Sequence, residues 1–88
     1  MIPLTMEYLT NCFRRAGELK MNYVAIVLTM EGFEGKEVII NPIENFDTKL
    51  AYYQQTYDNE LHHKFAKGIR IVGFTFGDSF AEIEDDFI

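Results

Sequence analysis

Histidines, a cysteine and paired carboxylates are the side chains with which so short a chain could do chemistry, and here they are few. His62 and His63 are adjacent, so on a helix they would point about 100° apart and would not converge on one ion. The workable pairs are Asp58 with His62 at i+4 and Glu60 with His63 at i+3. Each supplies two ligands where zinc usually takes three or four from protein. A metal-dependent protein using His62 and His63 is therefore an alternative that needs a homo-oligomer to complete the set. Cys12 is the single cysteine, and it lies on an apolar stripe where a thiol serves as inert filler. The glycines of "EGFEG" lack the lysine and helix start of a phosphate loop, and the two acids there would repel a phosphate. No catalytic residue, metal ligand set or cofactor site is assigned, and the expectation is a non-enzymatic protein.

Contact chemistry is better represented. The chain ends "GDSFAEIEDDFI". Ser79 and Glu82 have capping-box spacing, while Phe80, Ile83 and Phe87 fall at i, i+3 and i+7. Glu82, Asp85 and Asp86 lie opposite, so the stretch reads as a short helix with an apolar and an acidic face. A helix this short is marginal alone. It needs a surface, either on its own domain or in a basic or apolar groove of another protein. The second candidate is tyrosine-rich: Tyr53 and Tyr57 fall on a core stripe, with Tyr52 on its flank. Tyrosine suits contact surfaces because it buries much area at small entropic cost. The protein-contact candidates are thus Phe80, Glu82, Ile83, Asp85, Asp86, Phe87, Tyr52 and Tyr57.

The elements that must carry these residues follow from periodicity. Leu9, Cys12, Phe13, Ala16 and Leu19 form one helical stripe. "NYVAIVLTM" is apolar on both faces, as a central strand is. "EGFEGK" supplies a turn, "EVIIN" returns as the second strand of a hairpin, and Pro42 stops it. Phe46, Leu50, Tyr53, Tyr57, Leu61 and Phe65 then predict an amphipathic helix of about five turns. Asp58 and Asn59 mark a potential break in it, and Gly68 is its C-cap. "IRIVGFTFG" is a third strand with Val72, Phe74 and Phe76 on one face. The order is αββαβ plus a short C-terminal acidic helix. A right-handed crossover places the third strand beside the first. The expected fold is α+β: a three-stranded, mainly antiparallel sheet of order 2-1-3 with two helices on one face. The other face carries Tyr23, Ala25, Val27 and Thr29, too apolar to stay wet. Either the tail or a second subunit covers it, so a self-associating homo-oligomer of structural role is a second reading.

Eighty-eight residues make a single domain, and a 48% hydrophobic, 15% aromatic composition furnishes a core. One cysteine allows no intrachain disulfide and fits a reducing compartment. The N-terminus lacks signal-peptide features and the longest apolar run, "YVAIVL", is too short to span a bilayer. The expectation is a cytoplasmic protein with no membrane partner. The net charge of −6 is unevenly placed: residues 1–77 hold nine acids and eight bases, whereas residues 78–88 hold five acids and no base. With no basic excess, nucleic acid is not an expected partner. Met1, Met6 and Met21 could each start translation, and codons for Ala16-Gly17-Glu18 can spell a purine-rich ribosome-binding sequence. Residues 1–20 are on that reading upstream of a native start at Met21; their regular apolar stripe argues the other way.

From Met21 onward, in "NPIENFDTKLAYYQQTYDNEL", "GIRIVGF" and "GDSFAEIEDDF", the chain resembles the small uncharacterised proteins encoded in phages and prophages of Gram-positive bacteria. The resemblance implies a short accessory protein that acts by binding a host or phage protein, commonly as an inhibitor or adaptor. It carries over no functional residue.

Overall fold

A computed structural model describes residues 4–87, the last three of them by backbone alone. The elements are α1 (Met6–Glu18), β1 (Tyr23–Met30), β2 (Glu37–Pro42), a 3-10 turn (Ile43–Asn45), α2 (Phe46–Thr56), β3 (Ile69–Gly77) and α3 (Phe80–Phe87). The fold is α+β, with an antiparallel sheet of order β2-β1-β3.

α1 starts where the Thr5 hydroxyl accepts the Tyr8 N–H at 3.3 Å. It buries Leu9, Phe13 and Ala16. Phe13 meets Phe46 edge-on at 5.5 Å and Tyr53 at 6.0 Å, so α1 and α2 share one core. Leu19 leaves the expected stripe and is exposed, because the helix stops at Glu18. Lys20 then takes a left-handed φ of 56°, and the N–H groups of Lys20 and Met21 donate to Gly17 and Ala16 carbonyls in a Schellman ending.

Val24, Ile26 and Leu28 of β1 face these helices with Ile71, and Ile39, Phe74 and Phe76 pack against the same core. One expectation for β3 is corrected. The register runs Leu28↔Ile71 and then Val27↔Gly73, so Val72 is an extra residue. A bulge reverses side-chain alternation beyond it. Val72 therefore joins Val27 and Val38 on the opposite face, away from Phe74 and Phe76.

A second correction concerns the five-turn helix. α2 ends at Thr56, and Tyr57 is extended. The Asp58 carboxylate accepts the N–H groups of Glu60 and His62 at 2.9 and 3.0 Å, bonds that compete with helix continuation. Residues 61–63 instead line the edge of β3, with Tyr57 bridged to His63: His63 N–H donates to the Ile69 carbonyl and Ile71 N–H to the Leu61 carbonyl. Tyr57 and Leu61 still reach the core, whereas Phe65 is 80% exposed. Gly68 (φ 89°) closes the turn into β3 rather than capping a helix. The one buried side-chain amide among the described residues, Asn41, is satisfied: its Nδ2 donates to the Val24 carbonyl and its Oδ1 accepts the Tyr53 hydroxyl.

α3 lies on the opposite sheet face. Phe80 packs on Tyr23 with ring centroids 4.9 Å apart, and Ile83 is buried. A Cβ on Gly77 would stand 3.1 Å from the Glu82 carboxylate and 3.4 Å from Ile83, which shows how closely the helix approaches the strand. Asp78 anchors the turn by accepting the Asn22 N–H. Among the described residues no helix is long and apolar enough to cross a membrane.

Candidate functional site

The capping box expected of the tail is formed with its return bond one residue early, at Asp78 rather than at the Ser79 N-cap. The Ser79 hydroxyl accepts the Glu82 N–H at 3.2 Å, and the Glu82 carboxylate reaches back to the Asp78 N–H at 2.8 Å. Glu82 is thus engaged in holding its own helix. Ile83 is buried under that helix, and Phe80 is half covered by Tyr23 while remaining 59% exposed. The apolar side of the tail therefore rests on its own sheet, with Glu82 and Glu84 exposed outside. The side chains of Asp85, Asp86 and Phe87 lie outside the described residues.

The two tyrosine candidates part company. Tyr52 is half exposed, with the Lys49 ammonium 5.2 Å from its ring centre. Tyr57 is a core residue, and burial, with Tyr52 and Tyr53 adding to it, pushes its hydroxyl up to about 12. It offers no contact surface. Tyr53 is shifted the same way by burial, against the opposing pull of its bond with Asn41.

The histidines are placed by the turn, not by a helix. His63 Nδ1 accepts the N–H groups of Phe65 and Ala66 at 3.0 and 2.9 Å, so this nitrogen closes the loop and is taken from any ion. Its ring stands edge-on to Tyr57 at 5.1 Å. His62 meets Asp58 through its backbone N–H, which is the chief reason the Asp58 carboxyl lies below its ordinary value. The expected Asp58–His62 side-chain pair is accordingly not formed. Among the described residues no group of three or more His, Cys, Asp or Glu could hold a metal ion. Cys12 lines a shallow cavity of about 340 Å³ with Tyr8, Asn11 and Phe76. Burial pushes its thiol up to about 12, which leaves it protonated and unreactive at neutral pH.

Sequence reasoning missed the two most exposed large apolar side chains among the described residues, Phe33 (71%) and Phe65 (80%). Phe33 stands in the β1–β2 hairpin and Phe65 in the loop before β3. The two loops touch: the Glu31 N–H donates to the Gly68 carbonyl at 2.8 Å. Both phenylalanines thus belong to one end of the sheet, and α3 to the other. Next to Phe33, Leu28, Met30 and Lys36 line a shallow depression of about 290 Å³. A signal for Phe33 was available in "EGFEG": an aromatic flanked by turn residues on both sides has no strand or helix to carry it inward. Phe65 had none, because its spacing continued a run of buried positions.

No protein-family model, no curated protein and no solved structure matches the chain.

Proposed function

We propose that the chain is a small non-enzymatic accessory protein of phage or mobile-element type that acts in the cytoplasm by binding another protein, as an inhibitor or adaptor of a host factor. The observation that carries this reading is the pair of exposed phenylalanines, Phe33 and Phe65, on two loops held together by the Glu31–Gly68 bond. Aromatic side chains presented on a braced loop pair lose little freedom on docking, which is how a small surface gains affinity. The partner is a protein with apolar sockets for two aromatic rings. The resemblance to phage and prophage proteins supports the setting, and Tyr52 with Lys49 offers a secondary contact on α2.

The test is capture from a Gram-positive bacterial lysate with the wild-type protein and with the F33S/F65S double variant, both checked for the same circular dichroism. A protein held by the wild type and lost with the variant supports the reading. The purified pair should then bind at least about tenfold more weakly with the variant. Identical captures from the two proteins would overturn it.

A further inference from the structure

Across the sheet face opposite α1 and α2 the side chains fall into rows. Tyr23 stands between Pro42 and Gly77 under α3, and the next row is Ala25 between Ile40 and Thr75. Beyond it come Val27, Val38 and Val72, which with Gly73 and Lys36 line an open groove of about 220 Å³. Val38 is 47% exposed. Past this row Thr29 pairs with Arg70, so the groove is apolar along its floor and carries Lys36 and Arg70 at its far rim, with Glu34 and Glu37 beside Lys36. Neither cation is ion-paired: among the described residues the one ion pair is Arg15–Glu18, and the buried Arg70 Nε has no hydrogen-bond partner. At the near rim stands α3, in a segment with five acids and no base.

We propose that this face pairs with the same face of a second copy of the chain about a two-fold axis. Such an axis brings a patch onto itself with its ends exchanged. The α3 of each copy then lies over the open groove of the other, and its exposed Glu84 approaches Lys36 and Arg70 of that copy. The dimensions agree. Three strands about 4.8 Å apart leave a trough roughly 10 Å wide, the diameter of one helix. The eight residues of β1 run for about 27 Å and the eight of α3 for about 12 Å, which leaves length for a second α3 beside the first. The complement to the groove is carried by this same chain, and that favours a second copy over an unrelated acidic peptide. The face is small, so the dimer belongs with the weaker specific interfaces. This pairing does not depend on the phenylalanine surface.

Sedimentation equilibrium over about 10 to 500 µM protein at low salt spans the range for such an interface. Expected is a monomer–dimer equilibrium that V38E weakens at least about tenfold and that salt weakens as well. Lys36→Glu and Glu84→Lys each weaken self-association, while mixing the two variants restores a heterodimer to within about threefold of the wild type, because both cross-interface charge contacts are then opposite again. All three variants keep wild-type circular dichroism, since every altered residue is exposed. A wild-type monomer throughout the range overturns the proposal, as does a dimer indifferent to V38E. A monomer that instead takes up an acidic amphipathic peptide in the groove also overturns it.

Discussion

Lys20 and Gly68 both hold left-handed backbone, and only one of them is the residue suited to it. A side chain on Gly68 would place its Cβ 2.8 Å from Glu31 Cβ, on top of the unfavourable φ. Gly68→Ala should cost about 1–3 kcal/mol and lower the urea midpoint. Lys20 is exposed and ends α1, so Lys20→Gly should add about 0.5–1 kcal/mol by relieving the same strain without removing a contact. Leu61, with φ 66°, offers no such gain, because its side chain is fully buried. Titration also acts at this scale. Burial raises Cys12 from 9.0 and Tyr57 from 10.0, each to about 12. A group that holds its proton more tightly when folded favours folding below its unfolded value, and that contribution is lost as pH rises toward the folded one. The contribution of these two groups should therefore be constant below pH 9.0 and fall from there to about 12. In urea titrations Tyr57→Phe should make the decline above pH 10.0 shallower.

At the scale of elements, α1 is a structural partner of everything else on its side of the sheet. It packs against β3, β1 and α2, and Phe13 fills the space between Phe46 and Tyr53. A chain begun at Met21 would leave Val24, Ile26 and Phe46 without the Leu9, Phe13 and Ala16 that cover them. Deletion of residues 1–20 should abolish cooperative unfolding, since several large-to-small losses of about 2–5 kcal/mol each exceed what a small domain has in reserve. Near-UV circular dichroism of the shortened protein checks this; a native-like spectrum with a sharp melt would show that the sheet and α2 suffice. The end of α2 teaches a different lesson. Tyr57 and Leu61 are buried as the four-residue spacing predicts, yet they get there through an extended turn. Periodicity reports that Tyr57 and Leu61 go inside, and it fails for Phe65 further on. It does not report the path when Asp58 supplies a competing set of hydrogen bonds and a sheet edge needs a partner.

For the whole molecule, charge and apolar surface are sorted along the strands. The tail, a segment with five acids, leaves the sheet at one end, and Phe33 and Phe65 stand exposed at the other. The tail supplies most of the net charge and also shelters Tyr23 and Gly77. Removing it takes away five acids and uncovers an apolar row, and both changes favour non-specific association. A protein ending at Gly77 should scatter light at concentrations where the full chain stays clear. Equal clarity of the two would mean that α3 contributes little shelter.

The sequence by itself determined the order of the elements, the antiparallel sheet with β1 at its centre and the capped acidic helix. Each of these is written in local signals: a period of two or of three to four, a proline, a Ser–Glu pair. Tertiary structure alone decided where Val72 points, because one extra residue opposite Val27 changes the face. It also decided that Ile83 is buried on the chain's own sheet and that Phe33 and Phe65 stay outside, since burial is set by what arrives from elsewhere in the chain. That Arg70 has no ion-pair partner among the described residues belongs to this second group as well. Whether a cation finds an acid depends on which strands become neighbours, and no spacing along the chain encodes that.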